Sequence, residues 1–311
     1  MKQTTNSILM IRPVAFRMNE QTAINNYYQK VLDGLSPSTV NEKAQQEFDV
    51  FVEKLRHVGI DVTVVDDVLE PDTPDSIFPN NWISFHENAD VALYPMFAEN
   101  RRLERREEIL DLLEEKGFEI ENIVDYTDAE IDGFYLEGTG SLVLDRANAK
   151  TYCALSPRAD EELFIEFCED FDMEPILFNA FQTVNGERKQ IYHTNVMMCL
   201  GENFAVICAD CIDDKKERKM VLDHLKKDNK EIILISEDQV NNFAGNMLEV
   251  RGADDKHYLI MSAAAHQSLN DKQIEQLQKN AEILSSSLDT IEACGGGSAR
   301  CMIAEIFLPK S

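Results

Sequence analysis

One of the seven cysteines in this 311-residue chain stands in a setting unlike the others. Cys301 follows Gly295-Gly296-Gly297-Ser298-Ala299-Arg300. Three glycines ahead of an apolar stretch permit backbone conformations and close approaches that other residues refuse. A thiol there is reachable, whereas Cys199 and Cys208 lie inside apolar runs and read as inert core. A cysteine nucleophile needs a base beside it and a third group to complete the set. His193, in Ile191-Tyr192-His193-Thr194-Asn195, is the candidate base. Beside a thiol it favours the thiolate, whose ordinary pKa is about 8.5, and it can later protonate a departing nitrogen. Glu137, in Tyr135-Leu136-Glu137-Gly138-Thr139-Gly140, is the candidate carboxylate, either to orient His193 or to take substrate N–H groups. Each residue alone has a plain alternative: a core thiol, a structural histidine, one exposed acid among 57. Their meeting in space is what would make them chemistry.

Asp75, in Pro74-Asp75-Ser76-Ile77-Phe78-Pro79-Asn80-Asn81-Trp82, can receive a substrate ammonium or merely cap a turn. Arg101, Arg102 and Arg158 follow strand-like runs, and two such arginines form a fork suited to an amino-acid carboxylate. The alternative for Arg101 and Arg102 is a solvated start to a charged helix. Cys208-Ala209-Asp210-Cys211 has redox spacing, but a zinc site needs a second pair that the chain lacks, and the motif is read as incidental. Neither a Walker-type loop nor G-x-G-x-x-G occurs, so nucleotide cofactors have no support. No metal or organic cofactor is expected.

Thirty basic residues against 57 acidic ones leave a formal charge of −27. Such a field repels phosphate backbones and anionic lipid heads, which excludes nucleic-acid and membrane-surface partners and tolerates a cationic small molecule. The apolar run from Ile8 stops at Arg12-Pro13, so no signal peptide is expected, and no apolar stretch reaches 18 residues. An odd, scattered set of cysteines then points to reduced thiols in the cytoplasm. Oligomeric state is left open, a homo-oligomer included.

The elements that must position these residues repeat every 50–60 residues. Paired strand-like runs begin near Asn81, Ser141, Asn195 and Met247. Each pair is followed by a charged stretch with helical spacing, over Arg102 to Lys116, Asp160 to Phe171, Lys215 to Lys226 and Asn270 to Leu284. A further strand follows each, over Phe118 to Val124, Pro175 to Phe178, Ile232 to Ile235 and Leu288 to Glu292. A fifth unit opens at Cys301, with a strand over Met302 to Leu308, and then the chain ends. Its remaining parts stand at the other terminus: strand Ser7 to Arg12, helix Asn41 to Val58 and strand Ile60 to Asp66. The expectation is a single α/β domain, residues 1–311, of five strand-strand-helix-strand units closed by pairing the last strand with the first. An open sheet would alternate one strand with one helix and fits less well. Equivalent positions of a closed ring meet near its axis. Those positions hold Asn80-Asn81, Glu137 to Gly140, His193, Gly245-Asn246 and Arg300-Cys301.

The E-G-x-G turn, the histidine after a strand break, F-x-N-N-W, E-N-R-R-x-E-R-R and the terminal G-G-G-S-A-R-C-M together resemble the guanidino-group-modifying, or pentein, superfamily. The likeness runs over essentially the whole chain and is nearest to its citrulline-utilisation hydrolase-type branch. It implies a five-bladed α/β propeller and a hydrolase acting on C–N bonds of linear amidines or ureides. It also implies Cys301 as nucleophile, His193 as general acid/base and Glu137 as a carboxylate contacting substrate. Asp75 is implied as a ligand for the substrate amine, Arg101 and Arg158 for its carboxylate, and Phe78, Asn80 and Asn81 as substrate-binding. Where arginine deiminases and dimethylarginine dimethylaminohydrolases carry a second aspartate after Phe78, this chain has Asn80 and Asn81. A guanidinium suits paired carboxylates; a ureido oxygen needs a donor, which an amide supplies. Hydrolysis of citrulline to ornithine is therefore expected. Arginine deiminase, dimethylarginine hydrolase and amidinotransferase activities are the alternatives, and a non-catalytic binding scaffold is the alternative from another class.

Overall fold

The computed structural model describes residues 1–32 and 34–310. Its strands fall into five three-stranded sheets of one pattern and one two-stranded ribbon. Strand β1 (Ser7–Arg12) is parallel to β2 (Asp61–Asp66). Then come β3 (Ile83–Phe85), β4 (Asp90–Leu93) and β5 (Asn122–Asp125), with β4 antiparallel to β3 and parallel to β5. The same order recurs in β6 (Leu142–Asp145), β7 (Lys150–Leu155) and β8 (Glu174–Asn179). Next is the ribbon, β9 (Phe181–Val184) with β10 (Glu187–Gln190). The order returns in β11 (Met198–Leu200), β12 (Phe204–Ile207) and β13 (Glu231–Leu234), and in β14 (Leu248–Arg251), β15 (His257–Ser262) and β16 (Glu282–Ser286). Finally β17 (Ala304–Glu305) pairs antiparallel with β1, so the two ends of the chain share the fifth sheet. The first strands of several sheets adjoin: β17 with β3, β6 with β11, β11 with β14.

Helices connect the second and third strands of each sheet, as parallel pairing requires. The longest, Pro37–His57, buries Val40, Ala44, Phe48, Phe51, Val52 and Leu55 along one stripe. Ser36 caps its first turn by accepting from the Thr39 amide, and Pro37 suits the first helical position, so the helix starts four residues ahead of the expected Asn41.

Several element boundaries differ from the sequence reading. The stretch Arg102 to Lys116 forms two short helices, Glu99–Arg102 and Glu108–Glu115. The arginines between them turn inward: Arg105 donates to the Tyr94 carbonyl and Glu130, and Arg106 to the Asp66 carbonyl. These tertiary bonds outweigh helix propensity. The strand expected over Phe118 to Val124 is confined to Asn122–Asp125. The helix expected over Asn270 to Leu284 ends at Gln278, because Glu282–Ser286 is claimed by parallel pairing with β15. Leu288 to Glu292, expected as a strand, opens the helix Asp289–Gly295, whose first amides at Thr290 and Ile291 donate to the Glu47 carboxylate. From Met302 to Leu308 only Ala304–Glu305 forms ladder pairs. The ribbon β9–β10 was not anticipated, although its Asn185-Gly186 turn, with φ of 52° and 82°, is a strong hairpin signal.

Candidate active site

Short turns at the starts of the first strands carry the chemistry inward. Glu137 precedes a single helical turn, Gly138–Ser141. Asn80 and Asn81 lie in the turn Pro79–Asn81, and His193 precedes the turn Thr194–Val196. Cys301 follows the glycine-rich turn that leaves helix Asp289–Gly295. Thr22, Asp75, Phe78, Asn81, Arg101, Arg158, Tyr192, His193 and Cys301 line one narrow cavity of about 20 Å³. Asn80 is wholly buried, and its side-chain amide has no hydrogen-bond partner among the described residues, but it does not line this cavity.

His193 Nε2 lies 2.7 Å from Glu137 Oε2, and both side chains are buried. The other Glu137 oxygen accepts from the Phe97 amide at 3.0 Å, and Arg158 Nη1 donates to Oε2 at 3.3 Å. Burial opposes ionisation of Glu137, but Arg158, the His193 hydrogen bond and Arg101 outweigh it and hold the carboxyl well below its usual range. For His193, burial is the largest influence and lowers the pKa; Glu137 pulls it back, and Arg158 and Arg101 push it down again, to about 4. At neutral pH the pair is therefore carboxylate and neutral imidazole. The Nε2–H donates to Glu137, which leaves the Nδ1 lone pair on the opposite edge of the ring.

That edge faces Asn81. A methyl placed on Gly140 would lie 2.4 Å from Asn81 Nδ2 and 2.8 Å from His193 Nδ1, so both nitrogens converge over this glycine. The orientation of the Asn81 amide follows from its neighbour: Arg101 Nη1 donates to Oδ1 at 2.8 Å. The Nδ2 hydrogens are thereby turned away from Arg101, and they are buried without an acceptor among the described residues. Asp75 presents the complementary feature. Its Oδ2 accepts from Asn19 Nδ2 at 2.8 Å and Thr22 Oγ1 at 2.9 Å, while Oδ1 is buried without a partner among the described residues. Burial raises the Asp75 pKa, against the pull of Arg101 and of these two donors.

The arginines are wall residues. Arg101 is 2% exposed and gives its N–H groups to Glu104, Asn81 and the Phe78 carbonyl, so the solvated-helix alternative does not hold. Arg158 is equally buried and donates to Asn25, the Thr22 carbonyl and Glu137. Phe78 lies beneath the glycine run: a methyl on Gly297 would come within 2.9 Å of its ring and 3.4 Å of Cys301 Cβ. No residue larger than glycine fits there.

Two amides touch the nucleophile candidate. Asn246 Nδ2 lies 3.1 Å and Asn195 Nδ2 3.6 Å from Cys301 Sγ. The repeat had marked Asn246 by position without a role, and Asn195 was missed. The signal was available: amides recur at the inward turns where the other units carry His193 and Glu137. The cover over the cavity, Asn19 to Gln29, was missed altogether. It is held by bonds to Asp75, Arg158 and the glycine run, including Asn26 Nδ2 and Gln29 Nε2 to the Gly295 carbonyl. Its polar residues carry no periodicity that would flag them.

Among solved structures, apo ArgZ, described as an arginine dihydrolase from the ornithine-ammonia cycle in cyanobacteria, superposes with a TM-score of 0.73 at 17% identity. The match covers 98% of this chain and 41% of that one, so this chain spans about two fifths of the length of that ArgZ chain. A substrate-bound variant of the ArgZ N-terminal domain matches at 18% identity and TM-score 0.72, covering 97% of this chain and 99% of that one. A dimethylarginine dimethylaminohydrolase variant, as its adduct with S-methyl-L-thiocitrulline, matches at 15% identity and TM-score 0.64, covering 97% and 100%. These likenesses share a mixed α/β fold of pentein type. No curated protein matches the chain in sequence. The family described as eukaryotic N,N dimethylarginine dimethylhydrolase matches residues 12–308, and the chain therefore belongs to that pentein family of hydrolases acting on guanidino C–N bonds.

Proposed function

We propose that the chain is a single-domain, five-bladed propeller, its five sheets arranged about a pseudo-fivefold axis, that hydrolyses the ureido group of citrulline to give ornithine. The observation that carries the substrate is Asn81. Its Nδ2 is a buried donor without an acceptor, oriented by Arg101 and converging with His193 Nδ1. A ureido oxygen accepts such a donor; a guanidinium, which has only N–H groups at that end, does not. The unpaired Oδ1 of Asp75 suits a substrate N–H or ammonium. Arg101 and Arg158 supply positive potential for the substrate carboxylate, though most of their N–H groups already have protein partners.

In the first step His193 Nδ1 takes the thiol proton as Cys301 Sγ attacks the ureido carbon, with Asn246 and Asn195 donating toward the sulfur. The bond from that carbon to the ornithine nitrogen breaks, and His193 delivers the proton that the leaving amine requires. A carbamoyl group remains on sulfur. Water, deprotonated by His193 Nδ1, then attacks it, restoring the thiol and releasing carbamate, which decomposes to ammonia and carbon dioxide. Glu137 fixes the imidazole tautomer and stabilises its protonated form in both steps. A cavity of about 20 Å³ holds little more than a water molecule. Substrate therefore enters when the cover formed by residues 19–29 opens.

Family membership supports a second reading, release of dimethylamine from N,N-dimethylarginine. The test is a product assay with purified protein offered citrulline, arginine and N,N-dimethylarginine separately. Ornithine and ammonia from citrulline alone support the proposal. Citrulline from either guanidino substrate, with none consumed, sinks the Asn81 argument and retains the nucleophile.

A further inference from the structure

Beneath Cys301, on the far side of Asn195, lies a second cavity of about 30 Å³. It is walled by Gln3, Arg146, Asn195, Glu249, Arg300 and Glu305. The charged residues on its wall are equal in number, Arg146 and Arg300 against Glu249 and Glu305, but they are not evenly paired. Arg300 Nη2 donates to Glu305 at 2.8 Å, and Glu249 is held by His257 Nδ1 at 2.8 Å and the Glu202 amide at 2.6 Å. Those carboxylates have their partners. Arg146 has no direct ion pair: among the described residues no carboxylate oxygen lies within 4.0 Å of its guanidinium, and Glu305 and Glu87 offset its charge only from farther away. It is 2% exposed, and its one hydrogen bond is a 3.4 Å contact with His86 Nδ1. Burial, and then Arg146 itself, keep His86 neutral, so the ring cannot offset the charge. The face of Phe307, 4.0 Å away, covers one side of the guanidinium. A guanidinium stays protonated in a protein, and burying its charge without a close counter-ion is costly. Arg146 borders the cavity, and its five N–H donors have one weak acceptor among the described residues.

We propose that this cavity is a binding site for a small monovalent anion of halide size, held by Arg146. The volume suits one or two water-sized species, which favours a halide over phosphate. The site lies apart from the catalytic cavity and does not depend on the substrate assigned above. Asn195, which touches Cys301 Sγ on its other side, is the partition between the two.

The test compares thermal unfolding of the full chain in sodium chloride and in sodium gluconate at equal ionic strength. The matched strength removes general screening, which stabilises any protein of charge −27. The expected result is a midpoint several degrees higher in chloride, and loss of that difference in Arg146→Met. Crystals of the unaltered protein grown with sodium bromide should show an anomalous bromide peak beside Arg146. Equal midpoints in the two salts, a chloride increment that survives in Arg146→Met, or a bromide-free cavity would each overturn the proposal in favour of hydration by water alone. If Arg146→Met does not fold, the bromide peak decides.

Discussion

Asn246 Nδ2 lies 3.1 Å from Cys301 Sγ, and the Arg300 amide fixes that orientation by donating to Asn246 Oδ1 at 3.1 Å. The neutral His193 supplies no imidazolium to stabilise a thiolate, so amide donors take that part. A hydrogen bond to a charged group is worth about 1.5–3 kcal/mol. Asn246→Ala should therefore slow iodoacetamide labelling of Cys301 at pH 7 by about tenfold or more. Mass spectrometry of the Cys301 peptide reads this without substrate. An unchanged rate would reduce Asn246 to a packing role.

Asn81→Asp replaces the free donor with a carboxylate beside Arg101, two residues already 2.8 Å apart. Citrulline turnover should fall by about 100-fold, because the ureido oxygen meets charge of its own sign and loses a donor worth several kcal/mol in the transition state. Arginine should gain. The ratio of kcat/KM for the two substrates is the quantity to measure, and a ratio that does not move would detach Asn81 from specificity.

Gly140→Ala adds one methyl where two catalytic nitrogens converge, 2.4 Å from Asn81 Nδ2 and 2.8 Å from His193 Nδ1. Overpacking of this kind costs about 1–3 kcal/mol. Stability measured by urea should drop within that range, while kcat falls far further because the imidazole is pushed out of register. A variant with near-normal kcat would show that the imidazole tolerates displacement.

Burial of His193 also sets an acid limit. His193 titrates near 4 when folded against an ordinary value of 6.5. Between those values the unfolded chain takes up a proton that the folded one refuses, so this group's contribution to stability is lost as pH falls from 6.5 towards 4. The loss amounts to about 3 kcal/mol at the lower end. Glu137 acts lower still: its folded pKa is depressed, so its contribution fades as pH drops below 4.5. Subtracting the pH–stability curve of His193→Gln from that of the unaltered protein should leave this slope. A flat difference between pH 6.5 and 4 would mean that His193 titrates normally in the fold.

Glu137→Gln keeps the shape and removes the charge. Arg158 would then be a buried guanidinium without its carboxylate, a loss of about 3–5 kcal/mol for a broken buried pair. Turnover should fall by about 100-fold or more as the imidazole loses its fixed tautomer. Hydrogen-exchange protection around Arg158 and steady-state kinetics, taken together, separate the two effects; full protection with full activity would remove Glu137 from both roles.

The chain's own pattern determined the repeat and the pairing of its two ends, though not the β9–β10 ribbon or the exact place of β16. Alternating apolar runs and glycine turns are local signals, and β1 with β17 follows once four complete units are counted. The residues singled out at equivalent positions, Cys301, His193, Glu137 and Asn81, do line or support one cavity, because equivalent turns of repeated units point the same way. Tertiary structure alone decided the rest. Whether Glu137 orients His193 depended on a 2.7 Å contact across 56 residues of sequence. That Arg101 is a wall residue depended on Glu104 and Asn81 reaching it. The cover from Asn19 to Gln29 has neither periodicity nor a motif, and it became part of the site only because Asp75 and Arg158 hold it there. Spacing in sequence reports which face a side chain is on. Which partner satisfies a buried donor or charge is set by segments far apart in the chain, and burial makes that choice energetically decisive.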